Sequence, residues 1–304
     1  MAKGTSTFIG HPENGLNCGR NFPVRSYDLD ATLASGQAFR WRFHNGEWAG
    51  VVAGRWVALR AADDSIIAKT VLPQNDWNWL SEYLQVELDL GGVLTSFPDD
   101  EPMRNAVAAC RGLRLLRQDP WECLASFILS STKQIVQIQQ IVLLLCERYG
   151  ETVEVAPDFP SMNAFPTVQR IAGLSEADLR ACKMGFRAPY LLASARMIDG
   201  GQLDLANVAK MSVTEARAAL MQLPGVGRKI ADCVLLFAYG FQSAFPVDVW
   251  VMRALKDLYF PRRRPKLKRL HHFSQTYFGP NAGYAQQYLF HYMRVKKKYA
   301  AGKT

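Results

Sequence analysis

A short turn rich in glycine and proline constrains the fold of this chain more than any other feature. Leu-Pro-Gly-Val-Gly occupies residues 223–227, between two stretches that have the apolar periodicity of helices. Pro224 fixes one backbone φ angle, whereas Gly225 and Gly227 can adopt positive φ or let a bound group approach the backbone closely. The turn is therefore predicted to reverse the chain tightly between two helices.

The stretches on either side of this turn carry their own start and stop signals. Ser212-Val213-Thr214-Glu215 has the pattern of a capping box and predicts the start of the first helix. Residues 228–239 have the pattern of the second helix, and Gly240 is placed to end it. The sequence thus predicts a helix-hairpin-helix in which backbone N–H groups at the start of the second helix can bind phosphate.

Two reactive side chains follow the turn. Lys229 is the second residue after it, and Pro246-Val247-Asp248 follows the second helix. This combination resembles the helix-hairpin-helix DNA glycosylases and, in finer detail, the 8-oxoguanine DNA glycosylases. The resemblance implies that Lys229 is the nucleophile, that Asp248 is the catalytic aspartate and that Cys233 contacts the damaged base.

The chemistry of base removal accounts for the lysine and the aspartate. Breaking the bond at C1′ of deoxyribose develops positive charge on the sugar, which a carboxylate such as Asp248 stabilises and an amine such as Lys229 captures. The resulting imine permits β-elimination of the 3′ phosphate, so lyase activity accompanies base release. Without the resemblance, Lys229 would be interpreted as a solvated lysine and Asp248 as a helix N-cap, a role that is compatible with catalysis.

Three further segments extend the resemblance along the chain. They are Ser35-Gly36-Gln37-Ala38-Phe39-Arg40-Trp41, Leu115-Leu116-Arg117-Gln118-Asp119-Pro120 and Phe278-Gly279-Pro280-Asn281-Ala282-Gly283-Tyr284-Ala285-Gln286. The resemblance implies that the Gly36 carbonyl accepts a hydrogen bond from the N7–H group that only the oxidised base carries. It also implies that Gln286 bonds the Watson–Crick edge of that base and that Phe290 stacks on it.

The resemblance also implies how the hairpin region binds DNA. Main-chain N–H groups around Gly225, Gly227 and Arg228 would hold the phosphate backbone. Trp250 stands where many members of the family have a histidine. We expect it to stack or to bond phosphate, although it cannot titrate.

One segment departs from the best-known members of the family. Those members follow Ser-Ser with a run of asparagines and then an arginine, which fill the gap left by the flipped base and read the opposite cytosine. Here Thr132, Lys133 and Gln134 follow Ser130-Ser131, and Gln137 takes the place of the arginine. Because glutamine lacks the charged bidentate fork of arginine, we expect weaker discrimination between the bases opposite the lesion.

Metal chemistry is not indicated at the predicted site. The six cysteines are scattered, without the Cys-x-x-Cys pair or the four-cysteine cluster that would hold zinc or iron–sulfur. In the family a monovalent or divalent cation can bridge hairpin carbonyls and DNA, which here would involve Met221, Leu223 and Val226. We therefore expect no required cofactor, and a cation at the hairpin would be structural.

Composition and charge are compatible with a DNA-binding protein. The 304 residues carry a formal net charge of +9 and 49% are hydrophobic, which is typical of a globular chain with a substantial core. Basic runs at residues 262–269 and 294–298 are expected to be solvated faces that add salt-dependent affinity for DNA. Neither a signal peptide nor an apolar run of about 18 residues is found. We expect an intracellular monomer whose partner is double-stranded DNA containing 8-oxoguanine.

The order of strand and helix patterns predicts the fold class α+β. Asn45-Gly46 is predicted to form a tight hairpin turn, and four segments around and after it have strand patterns. The first helical pattern spans residues 77–90, and helical patterns dominate after Arg117. The predicted segments are a polar N-terminal segment (1–22), a curved antiparallel β-sheet subdomain (23–115) and an all-helical domain that carries the helix-hairpin-helix (116–304).

Three interpretations of function are open at this level. The first is a bifunctional 8-oxoguanine glycosylase and lyase. The second keeps the fold but acts on another damaged base, with or without lyase activity; Lys229 argues against an enzyme that uses only water, which would need Asp248 alone. The third is a DNA-binding module without catalysis, against which the joint presence of Lys229, Asp248, Gln286 and Phe290 argues.

Overall fold

The computed structural model describes residues 17–130, 133–263 and 265–301. Its strands are β1 (Asn17–Pro23), β2 (Arg42–His44), β3 (Glu47–Val52), β4 (Arg55–Ala62), β5 (Ser65–Gln74), β6 (Thr152–Val153) and β7 (Met162–Asn163). Its helices before the hairpin are α1 (Leu29–Ala34), α2 (Asn78–Leu84), α3 (Leu90–Thr95), α4 (Glu101–Ala109), α5 (Pro120–Leu129), α6 (Ile135–Tyr149), α7 (Val168–Ala172), α8 (Glu176–Ala181), α9 (Ala188–Asp199), α10 (Leu205–Val208) and α11 (Val213–Leu220). Those after it are α12 (Arg228–Val234), α13 (Val249–Ala254), α14 (Leu267–Tyr277) and α15 (Ala282–Ala301).

The predicted fold class is confirmed: an antiparallel five-stranded sheet precedes a helical body. The strand order is β1-β5-β4-β3-β2, and β6 and β7 form a separate two-stranded ribbon. Asn45 and Gly46 have φ values of 50° and 81°, as a tight hairpin between β2 and β3 requires. The predicted turn is therefore present.

The sheet begins earlier than the sequence predicts. Residues 17–22, which the composition assigns to the polar N-terminal segment, form most of β1 and pair with β5. Phe22 is 5% exposed and packs edge-on against Trp77, with 6.2 Å between their ring centroids. The polar composition conceals this strand, because pairing with a distant strand and one buried aromatic ring, rather than local alternation, hold it in the sheet.

The sheet and the helices enclose two main apolar cores. One is formed under the sheet by residues such as Val57, Leu59 and Ile66, together with Leu80 of α2. The larger core lies in the helical body and includes most side chains of α5, which is buried without interruption from Cys123 to Leu129. This burial explains why the sequence of α5 is apolar on all sides rather than along one stripe.

Helix boundaries follow local capping signals where these are strong. Asp119, Ser175 and Ser212 are N-caps, each accepting a hydrogen bond from a backbone N–H of the first turn. Of the helix predicted over residues 77–90, only α2 forms, because the chain leaves the helix at Gln85, whose φ of 55° is left-handed, and α3 begins only at Leu90. Helix α12 continues as a π-helical segment over Leu235–Tyr239 and ends at Gly240, whose φ is 73°.

Two largely buried polar side chains fasten the sheet to the helical body. Arg40 donates to the Glu122 carboxylate at 2.8 Å and to the Asn163 carbonyl at 2.7 Å. Gln37 donates to the Arg114 carbonyl at 2.8 Å and accepts from the Leu116 N–H at 2.8 Å. These bonds fix the loop between α1 and β2 against α5, against the segment that precedes α5 and against β7. Within the described residues, no helix is long and apolar enough to cross a membrane.

Candidate active site

A cavity of about 400 Å³ lies where the loop after α1 meets the helical body. Nine of the residues predicted for the site line it: Gly36, Lys133, Gln134, Lys229, Cys233, Asp248, Trp250, Gln286 and Phe290. They come from positions that are far apart in the chain and from both sides of the sheet–helix junction. The predicted Gln137, Gly225, Gly227 and Arg228 lie outside its lining, and Thr132 lies outside the described residues, as does Arg264 of the predicted basic run.

Lys229 projects from the first turn of α12 toward the end of α5. Its Nζ donates a hydrogen bond to Ser130 Oγ at 3.1 Å and lies 5.2 Å from the centroid of the Phe127 ring. Ser130 in turn donates to the Phe127 carbonyl at 2.7 Å. The amine is thus held by one hydroxyl and one aromatic face, and no carboxylate among the described residues forms an ion pair with it. Its position is therefore fixed without an ion pair that a ligand would have to break.

Asp248 is the N-cap of α13 and lines the same cavity. Its Oδ1 accepts a hydrogen bond from the Val251 N–H at 2.8 Å. Burial raises the pKa of Asp248, while the hydrogen bond from Val251 and the positive charge of Lys229 oppose this shift. The carboxylate is therefore fixed by the helix start and lies close enough to Lys229 for their charges to interact.

The backbone at Gly36 is held in an unusual conformation by its neighbours. Gly36 has φ of 84°, and a Cβ atom there would lie 2.5 Å from Cδ1 of Ile135. The adjacent Gln37 is fully buried and anchored to Arg114 and Leu116, and Gln118 donates to the Gln37 carbonyl at 2.8 Å. The positive φ favours glycine here, and a larger residue would also displace the end of the Ile135 side chain. The polar anchors on Gln37 hold the residue that follows Gly36 in place.

Two further residues that line the cavity, Cys233 and Gln286, are predicted to contact a base. Cys233 is 3% exposed, and burial raises its pKa to about 12, so it is a thiol rather than a thiolate at neutral pH. Gln286 is also 3% exposed, and its Oε1 has no hydrogen-bond partner among the described residues. An unpaired buried acceptor costs about 1–3 kcal/mol. A ligand that donates to Gln286 would recover this cost.

The hairpin has the conformation expected of its sequence. Gly225 has φ of 76°, and a Cβ atom there would lie 2.9 Å from the side chain of Tyr190. The Val226 N–H donates to the Leu223 carbonyl at 3.1 Å, which closes the turn. Gly227 is the N-cap residue of α12 and has no side chain to cap it. The first N–H groups of α12 therefore lack a side-chain cap, as a phosphate-binding helix start requires.

Arg228 is partly engaged within the protein. Its Nε lies 3.6 Å from Oδ2 of Asp232, whose Oδ1 accepts from Arg217 Nε at 2.6 Å. Asp232 is 1% exposed, and burial raises its pKa against the opposing charges of Arg217 and Arg228. The two arginines compensate one buried carboxylate, so the charge of Arg228 also stabilises the hairpin.

The segment before α6 holds its predicted residues in different settings. Lys133 and Gln134 line the cavity, whereas Gln137 lies in the first turn of α6. Oε1 of Gln137 accepts a hydrogen bond from the Gln134 N–H at 3.1 Å, and its side chain is exposed. Gln137 therefore uses its acceptor to cap α6 and retains its NH₂ group for a partner. Trp250 also lines the cavity. The guanidinium carbon of Arg253 lies 5.3 Å from the centroid of the Trp250 ring.

Several functional positions are not found from the sequence. Phe127 and Ser130 hold the lysine amine, and Gln287 and Arg294 line the cavity beside Gln286 and Phe290. Helical spacing could have found Arg294, which follows Phe290 by one turn. The charge pattern instead places Arg294 in a solvated basic tail; the structure corrects this, because the residue is half-buried and faces the cavity. Among the residues described, no group of three or more His, Cys, Asp or Glu could hold a metal ion.

Comparison with known proteins gives matches along most of the chain. The family described as "8-oxoguanine DNA glycosylase, N-terminal domain" matches residues 21–124, and "HhH-GPD superfamily base excision DNA repair protein" matches residues 125–280. N-glycosylase/DNA lyase OGG1 of Arabidopsis thaliana is 32% identical over 279 residues, which cover 86% of this chain and 76% of that protein. A probable N-glycosylase/DNA lyase of Methanothermobacter thermautotrophicus is 28% identical over 301 residues, covering 90% and 95% of the two chains.

Solved structures show the same relationship. The 8-oxoguanine glycosylase/lyase of Clostridium acetobutylicum, in complex with double-stranded DNA containing cytosine opposite 8-oxoG, is 30% identical and superposes with a TM-score of 0.85. The match covers 93% of this chain and 100% of the clostridial one. With its hairpin, its sheet and both family matches in chain order, this chain belongs to the HhH-GPD superfamily of base excision DNA repair proteins, among the 8-oxoguanine DNA glycosylases.

Proposed function

We propose that the protein excises 8-oxoguanine from duplex DNA and then cleaves the strand, as a bifunctional glycosylase and lyase. The observation that carries this proposal is the shared cavity, in which the amine of Lys229 and the carboxylate of Asp248 lie beside a set of base-recognition groups. The similarity to N-glycosylase/DNA lyases supports the reaction type. The similarity to the clostridial enzyme, which was crystallised with DNA containing 8-oxoG, supports 8-oxoguanine as the substrate.

Lys229 and Asp248 perform the covalent step. As the bond between C1′ and the base breaks, the electron pair leaves with the base, which takes up a proton, and Asp248 stabilises the positive charge on the sugar. The Lys229 nitrogen forms a bond to C1′ and loses its protons as the sugar ring opens to an imine. Loss of a proton from C2′ then expels the 3′ phosphate by β-elimination. Water finally hydrolyses the imine and frees the lysine.

Recognition of the base requires its extrusion from the helix, because C1′ and the base edge are inaccessible within the stack. The Gly36 carbonyl accepts from N7–H, which undamaged guanine lacks. Gln286 bonds the Watson–Crick edge with its unpaired Oε1 and its NH₂ group, and Phe290 stacks on the ring. Cys233, a neutral thiol, contacts the base from the side of Lys229.

The DNA backbone is held by the hairpin and by the segment before α6. Uncapped N–H groups at Gly225, Gly227 and Arg228 bind phosphate at the start of α12. Lys133, Gln134, Gln137 and Trp250, with Thr132, contact the strands around the extruded nucleotide. This arrangement uses main-chain groups for affinity and keeps side chains for the gap in the duplex.

A cation at the hairpin would be structural. The carbonyl groups of Met221, Leu223 and Val226 lie on the hairpin turn, where an ion could bridge them to a DNA phosphate. The Leu223 carbonyl already accepts from Val226 but retains a second lone pair. The ion would strengthen DNA binding and take no part in the chemistry. We also propose that the protein acts as a monomer. It works in the compartment that contains the genome.

The proposal is tested with a duplex that carries a single 8-oxoguanine opposite cytosine, beside an undamaged duplex of the same sequence. We expect release of free 8-oxoguanine and cleavage at the lesion that leaves a 3′ unsaturated aldehyde, with no reaction on undamaged DNA. Base release without cleavage would indicate a monofunctional enzyme. No release from this duplex, together with release from a duplex that carries another damaged base, would indicate the alternative substrate. Tight binding without either product would indicate a non-catalytic DNA-binding module.

A further inference from the structure

Arg294 connects three parts of the cavity that are distant in the sequence. Its Nη1 donates a hydrogen bond to the Ser35 carbonyl at 2.9 Å, across the junction between α15 and the loop after α1. Its guanidinium carbon lies 5.3 Å from the centroid of the Phe290 ring, one turn earlier on α15. Its charge also interacts with Asp248. One side chain thus contacts both the loop that holds Gly36 and the ring of Phe290.

The contact with Ser35 fixes the peptide group that leads into Gly36. A Cβ atom at Gly36 would lie 3.4 Å from Arg294 Nη1, so the guanidinium packs directly against this glycine. On the far side of the loop, Gln37 is anchored to the Arg114 carbonyl at 2.8 Å. Gly36 is thus held from one side by Gln37 and from the other by Arg294, and its carbonyl has little freedom to turn.

The contact with Phe290 restricts the other wall of the cavity. A guanidinium over an aromatic ring is attracted to the ring face, and more strongly when water is excluded. Arg294 is half-buried, and burial lowers its pKa, although an arginine remains charged. With one side chain bound to the Ser35 carbonyl and to the Phe290 ring, the distance between these two walls is fixed before any ligand enters.

We propose that Arg294 is a positioning residue for base recognition, which sets the separation between the Gly36 carbonyl and the Phe290 ring so that one planar base fits between them. This inference rests on the proposed function, because it assigns to Gly36 and Phe290 the roles given there. It differs from a role in phosphate binding, since the guanidinium points inward to a carbonyl and a ring. Arg294 itself need not touch the base.

The test compares two reactions that share Lys229 but differ in whether a base is bound. Single-turnover excision of 8-oxoguanine requires the base-recognition walls, whereas cleavage at a preformed abasic site has no base to recognise. In Arg294→Met, which keeps the length and loses the donors and the charge, we expect excision to slow about tenfold to a hundredfold. The rate of cleavage at the abasic site should fall no further in Arg294→Met than it does in the control variant, Lys296→Met.

Lys296→Met is the matched control for charge. Lys296 is on the same helix, is exposed and does not line the cavity, and its Nζ lies 5.8 Å from the Tyr292 ring centroid. Removing it lowers the positive charge of the helix by the same amount, so it reports the general loss of DNA affinity. Arg294→Lys retains the charge and a hydrogen-bond donor but loses the planar guanidinium, and we expect it to recover part of the lost excision rate.

A double-mutant cycle adds a readout that a simple loss of stability would not move. Because Arg294 acts partly through Phe290, Arg294→Met should cost less excision rate in a Phe290→Leu background than in the natural protein. Equal losses of excision and abasic-site cleavage would overturn the inference, as would unchanged excision in Arg294→Met. If Arg294→Met does not fold, the same comparison is made with Arg294→Lys. Failure of the natural protein to excise 8-oxoguanine would instead refute the proposed function.

Discussion

Asp248 combines a structural and a chemical task in one carboxylate. As N-cap of α13 it accepts from the Val251 N–H, and this bond keeps the side chain directed into the cavity. Its burial raises its pKa, while Lys229 and the hydrogen bonds oppose the shift. Because an amide can also accept a hydrogen bond from a backbone N–H, asparagine at this position would keep the cap and lose only the charge.

Asp248→Asn should therefore separate the two tasks. We expect a folded protein that still binds 8-oxoguanine DNA but excises the base about 10²–10³ times more slowly in single-turnover assays, because one electrostatic contact with the transition state is lost. Asp119→Asn is the control, since Asp119 caps α5 in the same way, through the Glu122 N–H at 2.8 Å, but does not line the cavity. An unchanged rate in Asp248→Asn would contradict the catalytic role.

Gln137 is expected to determine how strongly the enzyme discriminates between the bases opposite the lesion. Its Oε1 caps α6, so its NH₂ group is the part left to reach an unpaired base. This donor suits acceptor atoms on several bases but lacks the charge and the fork of arginine. We expect excision opposite adenine to fall within about tenfold to a hundredfold of excision opposite cytosine.

Single-turnover excision opposite each of the four bases measures this preference, and Gln137→Arg is the comparison. The arginine variant should favour cytosine more strongly than the natural protein does. If the natural protein prefers cytosine by more than about a thousandfold, and the variant does not change this preference, another residue reads the opposite base.

At the scale of elements, the junction between sheet and helices decides the shape of the cavity. Arg40 connects the loop before β2 to α5 through Glu122, and it also donates to the carbonyl groups of Asn163 and Val51. Its side chain is 10% exposed and that of Glu122 is 25% exposed. Removing one member of such a pair leaves a poorly hydrated charge in the junction.

Arg40→Met should destabilise the protein by about 3–5 kcal/mol, measured as the free energy of unfolding in urea. Arg104→Met is the control, because Arg104 pairs with Asp99 where both side chains are exposed, and such a pair contributes about 0–1 kcal/mol. Equal effects of the two substitutions would show that the junction does not depend on Arg40.

The parts of the fold that the sequence predicts are those with local causes. Asn45-Gly46 makes its hairpin, Ser212 caps its helix and Gly240 ends the helix after the hairpin turn because each acts on neighbouring residues. Strand β1 escapes prediction because distant pairing holds it, and the break at Gln85 has no strong local signal. Propensity and pattern carry no information about such distant partners.

The candidate site likewise contains residues that the sequence predicts and residues that only the folded structure reveals. The residues in short motifs, such as Lys229 and Asp248, could be located from spacing and resemblance, although their roles stay predictions until they are tested. Arg294, by contrast, contacts a carbonyl 259 positions earlier in the chain. The capping bond of Gln137 is local, but it forms only because α6 begins at Ile135, with Gln134 as its N-cap. Contacts made only by the folded chain account for what the sequence does not predict.

At the scale of the whole molecule, burial controls the chemistry of the cysteines. Cys18 is exposed, whereas the other five are buried, and burial raises the pKa of Cys146 to about 11 and those of Cys110 and Cys233 to about 12. At pH 8 a thiol with a pKa near 12 is ionised in only about one molecule in 10⁴. Since the thiolate is the reactive form, these groups should be inert in the folded protein.

A thiol titration with a disulfide reagent at pH 8 should therefore modify one cysteine rapidly in the folded protein and all six after denaturation. The Cys18→Ser variant should show no rapid modification in the folded state and should regain the reactivity of the remaining cysteines after denaturation. Rapid modification of a second thiol in the folded protein would show that one of the buried cysteines, Cys233 in the cavity among them, is accessible and ionised.

The most direct test of the proposed mechanism is borohydride reduction of the enzyme during reaction with an 8-oxoguanine duplex. Reduction converts an imine into a stable amine, so the natural protein should form a covalent complex with DNA, and peptide mapping should place the attachment at Lys229. Lys229→Gln should bind the same duplex and form no complex. A covalent complex that forms at the natural rate in Lys229→Gln, or an attachment mapped to another amine, would contradict the assignment of Lys229 as the nucleophile.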